Sequence, residues 1–158
     1  MNRHAGTPSA PREPLGRLCQ LGIVVRDMDR TVANMRSILG AGPIERVQWP
    51  PPRPGIEMEY QGRPGDFAML LGFVDFGGIQ VELIQPLRGE SIHRDFLESV
   101  GEGLHHVLFD VVDIDATIAS LAGRGLRVIQ QGSSLRHGKK WAYVDTKADL
   151  GFLVEVRG

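Results

Sequence analysis

The chain carries a faint copy of itself, and a duplicated unit restricts its fold more than any other feature. Residues 25–33 read VRDMDRTVA and residues 111–119 read VVDIDATIA, so Val25, Asp27, Asp29, Thr31 and Ala33 recur as Val111, Asp113, Asp115, Thr117 and Ala119. The offset is 86 residues throughout, and five identities in nine positions mark an internal repeat. At that offset Gln20 stands opposite His106. Further on, VELIQP at 81–86 resembles FLVEVRG at 152–158, which sets Glu82 against Glu155. A pseudo-twofold axis between the two copies would bring these four polar residues to one point, which is how a metal site is built from a repeat.

Each copy opens with a strand and a helix. LCQLGIVV at 18–25 is a short apolar run whose alternate residues face opposite ways, with Cys19, Leu21, Ile23 and Val25 on the apolar side and Gln20 on the other. The helix after it has Asp27 as its N-cap, Met28, Val32, Met35 and Leu39 on one stripe and Gly40 as its stop. In the second copy Leu104, His106, Leu108 and Asp110 share a strand face, while His105, Val107 and Phe109 share the helix-facing one. Asp113 is again the cap, with Ile114, Ile118 and Leu121 as the stripe and Gly123 and Gly125 as the end. Further strands are expected near 43–48, 66–74 and 78–85, and near 126–131, 140–145 and 151–157.

WPPPRPG at 49–55 cannot enter a regular ladder, because four of its seven residues are proline. As an inserted loop it also explains why the glutamates are only 73 residues apart where the first pair is 86 apart: the second copy lacks about the length of this insert. ESIHRDFLESV at 90–100 reads as a linking helix capped by Ser91, with Ile92, Phe96 and Val100 on its stripe. The organisation expected is a mobile N-terminal tail over 1–16 and a single domain over 17–158. That domain comprises module one at 17–89, the linking helix at 90–100 and module two at 101–158.

With 158 residues, 42% of them hydrophobic, there is material for one well-buried core. A formal net charge of −1 and no long run of Lys or Arg argue against a nucleic-acid partner. Cys19 is the only cysteine, so neither an internal disulfide nor a cysteine-based zinc motif is available. No stretch of 18 apolar residues marks a membrane span, and MNRHAGTPSAPREPL lacks the apolar core of a signal peptide, so the expected location is cytoplasmic.

These residues together resemble the vicinal oxygen chelate superfamily, the fold of glyoxalase I, methylmalonyl-CoA epimerase, extradiol dioxygenases and fosfomycin or bleomycin resistance proteins. The similarity covers residues 17–157 and is nearest the epimerase branch, which GEGLHHVLFDV (101–111), VELIQPLRGES (81–91) and the final LVEV resemble in order and spacing. It implies an α+β fold in which two tandem βαβββ modules form a curled mixed sheet around a metal-binding cleft. It further implies one divalent ion held by Gln20, Glu82, His106 and Glu155, and a homodimer. Epimerases usually carry His at the position of Gln20, whereas glyoxalase I of the human type carries Gln there. Such a nitrogen and oxygen donor set suits zinc, cobalt, nickel, manganese or iron.

Taken singly, each ligand has an ordinary structural reading. Gln20 can hydrogen-bond to a strand neighbour, Glu82 and Glu155 can be exposed strand carboxylates, and Glu155 can pair with Arg157 on its own face. The repeat selects His106 over His105 for the cleft. By the resemblance, Glu155 is also the base that takes a proton from the carbon next to a carbonyl. The implied reaction is methylmalonyl-CoA epimerase-like isomerisation of an acyl thioester. Glyoxalase I-like (lactoylglutathione lyase) isomerisation of a glutathione adduct is the second reading, and non-catalytic binding of a small molecule, as in resistance proteins, the third. Epimerisation needs a second acid on the opposite face. Glu57 and Glu59 are candidates, with solvent-facing loop carboxylates as the alternative. Trp49, Tyr60 and Trp141 are candidate cleft walls, against ordinary core or loop packing. Lys139 and Lys140 either meet substrate anions or lie in a solvated turn.

Overall fold

The apolar alternation at residues 18–25 places its strand at the centre of the sheet. The computed structural model describes residues 15–135 and 138–158; most of the tail expected at 1–16 lies outside them, and Leu15 packs against the apolar cluster around Val111. β1 (Arg17–Val24) leads through Asp27 into α1 (Met28–Leu39). Next come β2 (Glu45–Trp49), β3 (Met58–Tyr60), β4 (Arg63–Pro64), β5 (Ala68–Phe76) and β6 (Ile79–Arg88), and α2 (Ile92–Ser99) links to the second half. There β7 (Gly103–Asp110), α3 (Ile114–Ala122), β8 (Val128–Ser133), β9 (Lys140–Val144), the short α4 (Lys147–Leu150) and β10 (Leu153–Arg157) repeat the plan.

All ten strands join one curled mixed sheet in the order β2-β5-β6-β1-β7-β10-β9-β8-β3-β4. The first eight positions form a palindrome, each strand of one half mirrored by its counterpart about the antiparallel β1–β7 pair. Each half also contains a parallel pair, β1 with β6 and β7 with β10. The duplication extends to single hydrogen bonds. Asp27 Oδ1 accepts from Arg30 N and Asp113 Oδ1 from Ala116 N, both at 2.9 Å, and the hydroxyls of Thr31 and Thr117 each bond the carbonyl of their capping aspartate.

The proline segment stays out of the ladder, but the chain beyond it departs from the expected plan of a strand, a helix and three strands. β3 and β4 form a hairpin that crosses the molecule and adds to β8, the far edge of the other half. Trp49 at the head of the insert donates from Nε1 to the carbonyl of Ser133, 3.2 Å away, and stacks on Phe67, with Trp141 edge-on. The curled sheet is thereby drawn together around an aromatic plug. The helical stripes prove one turn too long: Met28 and Val32 are buried, but Leu39 and Val100 are exposed at the C-terminal ends of α1 and α2. Among the described residues no helix is long and apolar enough to cross a membrane. An N-cap bond contributes about 1 kcal/mol, so Asp27→Ala and Asp113→Ala should each lower stability by about that amount in denaturant titrations, and by equal amounts, because the two caps share one geometry.

Candidate metal centre

Strand register places the four repeat residues on the concave face. Leu153, His106, Gly22 and Glu82 lie in one row across β10, β7, β1 and β6, and Glu155, Leu108, Gln20 and Gln80 lie in the next. Rotation about the centre of this eight-residue block exchanges Glu155 with Glu82 and Gln20 with His106, the pairs the sequence repeat sets against each other. The opposite faces of these strands carry Val154 and Val156, which pack with Ile114 of α3, and Val81 and Leu83, which pack with Met28 and Val32 of α1. Burial of those apolar faces therefore fixes which side chains look into the cleft.

His106 Nε2 lies 3.0 Å from Glu155 Oε2 and 3.6 Å from Glu82 Oε2, and all three residues are buried. The ring fits because its neighbour across the ladder is Gly22: a Cβ on Gly22 would stand 1.9 Å from His106 Cε1. The twin position in the other half, next to the smaller demand of Gln20, holds Leu108. Gln20 lines the same cleft, is 2% exposed, and donates from Nε2 to Gln80 Oε1 at 2.7 Å.

Charge makes this cluster unfinished. Burial, reinforced by the charge of Glu155, raises the pKa of Glu82 despite the pull of His106. Burial alone would depress His106, yet its pKa stands at about 9, because Glu155 and Glu82 together outweigh that effect. The contact between His106 Nε2 and Glu155 Oε2 is close but lacks hydrogen-bond alignment, and those two atoms and Gln20 Oε1 have no hydrogen-bond partner. Each buried ion costs several kcal/mol unless it is compensated. Two carboxylate groups, one imidazole nitrogen and one amide oxygen on one concave face offer what a divalent cation requires. The fit is therefore good on donor chemistry and on the unpartnered atoms.

Other expectations are redistributed. Glu155 does not pair with Arg157, whose Nε and Nη2 both donate to Asp110 Oδ1, at 3.0 and 2.8 Å. Glu57 and Glu59 line a separate cavity of about 550 Å³ beneath the β3–β4 hairpin, and Glu59 accepts from Gln131 there. Trp49 and Trp141 do wall the cleft, whereas Tyr60 lies elsewhere, its hydroxyl donating to Asp95 at 2.6 Å. Lys140 begins β9 and reaches Asp115 at 3.5 Å, outside the cleft.

Two features escaped the sequence reading. Glu45 lines the cleft of about 210 Å³ together with Glu155, on the β2 face that also carries Val47 and Trp49. Its alternation with Trp49 was a usable signal. The second is a group of buried rings behind His106. His105 turns away from the cleft as expected, but packs against His93 and Phe96 of α2, and its Nδ1 is 3.0 Å from His106 Nδ1. His93 Nε2 is 3.2 Å from the Tyr143 hydroxyl. Burial, first among the causes, holds both His93 and His105 well below the usual histidine range. The Nδ1 contact with His105 occupies one nitrogen of the His106 ring and leaves Nε2 to face the carboxylates. Nothing in ESIHRDFLESV marks His93, because its contacts exist only once α2 has closed the end of the curled sheet.

Residues 19–143 match the family model of the glyoxalase/bleomycin resistance protein/dioxygenase superfamily. The mitochondrial methylmalonyl-CoA epimerase of Homo sapiens is 30% identical over 144 residues, 90% of this chain and 73% of that protein. The ethylmalonyl-CoA/methylmalonyl-CoA epimerase of Cereibacter sphaeroides is 30% identical over 145 residues, 90% of this chain and 97% of that one. A methylmalonyl-CoA epimerase from Streptomyces coelicolor, solved in complex with 2-nitronate-propionyl-CoA, shares the fold with a TM-score of 0.63, 24% identity and coverage of 91% and 94% of the two chains.

Two predictions come from this geometry. Gly22→Ala should displace the His106 ring and weaken binding of a divalent ion by at least tenfold, about 1.4 kcal/mol, in a chelator competition. The second concerns pH. Because the folded pKa of His106 is raised from 6.5 to about 9, its contribution to stability is complete below about 6.5 and lost as pH rises through the folded value. The melting temperature of chelator-treated protein should fall across that interval. With a divalent ion, which competes with the proton for Nε2, the fall should disappear or reverse.

Proposed function

Because the chain belongs to the glyoxalase/bleomycin resistance protein/dioxygenase superfamily, we propose that it is an epimerase that moves a proton at the carbon next to the carbonyl of an acyl thioester. The single observation that carries this reading is that Glu45 and Glu155 line one cleft around the buried Glu82–His106–Glu155 cluster. Epimerases of methylmalonyl-CoA among its relatives point to a 2-substituted acyl-CoA as the substrate class.

In this reading Gln20, Glu82, His106 and Glu155 hold one divalent ion, with zinc, cobalt, nickel, manganese and iron all compatible with the donors. Such an ion supplies stabilisation for negative charge growing on the substrate's carbonyl oxygen. Glu155 receives the proton from the adjacent carbon, and Glu45 returns one to the opposite face. Glu45 shares a ladder row with Glu82, with Phe73 between them, so two strand spacings, roughly 10 Å, set its backbone apart from that of Glu82. Trp49, Met69 and Leu71 give the cleft an apolar wall that limits water. Arg157, at the same mouth, offsets part of the carboxylates' repulsion of an anionic substrate.

Glyoxalase-like isomerisation would use the same base, but it moves a proton between adjacent carbons of a thiohemiacetal and has less need of a second carboxylate across the cleft. Non-catalytic sequestration needs neither carboxylate as a base.

Deuterium uptake from heavy water into each enantiomer of a 2-substituted acyl-CoA separates these readings. Wild type should exchange both enantiomers, and Glu155→Gln should lower exchange of the enantiomer whose proton Glu155 takes by about 10² or more while keeping most of its bound ion. Glu45→Gln should exchange one enantiomer and fail to invert it. No exchange by ion-loaded wild type with any thioester, or wild-type exchange by Glu155→Gln, would overturn the assignment.

A further inference from the structure

A glutamine is an ambiguous ligand. Its terminal oxygen and nitrogen are nearly equal in size, and only the oxygen can face a cation. At this site the ambiguity is acute, because the buried carboxylates of Glu82 and Glu155 would attract the NH2 group of Gln20 and so present the wrong atom to an ion. An ambiguous amide is settled by whatever acceptor captures its nitrogen.

The ladder supplies one. Gln80 is the register partner of Gln20 in the parallel β1–β6 pair, both side chains line the cleft, and Gln20 Nε2 donates to Gln80 Oε1 at 2.7 Å. Gln20 Oε1, fully buried in a residue that lines the same cleft as the cluster, is left without a hydrogen-bond partner among the described residues. The corresponding pair in the second half is His106 with Leu153. Leucine suffices there, because His106 is oriented from behind, by His105 Nδ1. A glutamine in the first half and a histidine in the second thus have different outer partners, and the polar residue at 80 stands where the repeat has an apolar one.

We propose that Gln80 is a positioning residue that makes Gln20 an oxygen donor to the divalent ion; the inference rests on the metal centre described above. It also explains how the centre works with glutamine at a position where a histidine would need no such anchor on this strand.

The test is cobalt(II) binding to the whole chain, followed by visible absorption and by competition with a chromophoric chelator. Loss of an orienting partner weakens metal binding by about 10- to 100-fold, and Gln80→Leu, which copies Leu153, should do so while the melting temperature of the metal-free protein stays within a few degrees. Gln80→Glu, which still accepts from Gln20, should bind at least as tightly as wild type. In a Gln20→Glu background, where either oxygen can face the ion, Gln80→Leu should change affinity less than about twofold, far below the loss expected of an orienting partner. The inference is overturned if Gln80→Leu alone binds within twofold of wild type, or if the loss is as large in the Gln20→Glu background. Failure of wild type to take up one cobalt per chain would overturn the metal centre itself, and this inference with it.

Discussion

Three buried groups, Glu82, His106 and Glu155, stand close enough to repel or bind one another. With both carboxyls ionised the cluster carries net negative charge even when the imidazole is protonated, and with the imidazole neutral two carboxylates face each other in the cleft. Either state costs several kcal/mol of desolvation, and the apolar packing on the outer faces of β1, β6, β7 and β10 holds the cluster in place regardless. The helices α1 and α3 are the source of that packing. They cover Val81, Leu83, Val154 and Val156, and strand alternation then leaves the polar residues no direction but inward.

The pseudo-twofold axis economises on design, and the departures from it are where the site acquires direction. Gly22 and Leu108 are twins, yet only the glycine makes room for a ring. Gln80 and Leu153 are twins, yet only the glutamine has an amide to anchor. Glu45 lies on β2 and has no carboxylate twin on β8, so the two faces of a bound substrate meet different environments. Glu155 stands in the buried cluster, and Glu45 is an exposed residue at the lining of the same cleft.

The rings of His105 and His93 pack behind His106, and Tyr143, the register partner of Glu155, joins them from the cleft side. Their burial disfavours the charged form of both histidines, and the His105 Nδ1 contact holds the His106 ring from one side. The linking helix therefore does more than join two halves. Its Ile92 amide is docked on Gln130 Oε1 at 3.0 Å, and its His93 seals the end of the curled sheet.

Much of this was written in local pattern. The repeat of Asp27 and Thr31 as Asp113 and Thr117 defined both helix starts, because capping depends on residues three and four positions away. The alternation around Gln20 and His106 separated cleft from core, because a strand's side chains have a period of two. The 86-residue offset paired Gln20 with His106, and the likeness of VELIQP to FLVEVRG paired Glu82 with Glu155, since register within each half is set by the same apolar faces. What the sequence left open depends on chain segments that meet only after folding. The hairpin after WPPPRPG crosses to β8, and its path is dictated by an unpaired edge and by the Trp49–Phe67–Trp141 stack, neither of which is visible as periodicity. That crossing carries Glu57 and Glu59 away from the cleft, which leaves Glu45 as the first-half carboxylate that lines it in addition to Glu82. Arg157 turns to Asp110, not Glu155, because parallel pairing of β7 with β10 sets those two side by side. Local sequence thus determined which residues face the cleft, since facing is a property of one strand. Tertiary structure decided which of them meet, since meeting depends on the curl of the whole sheet.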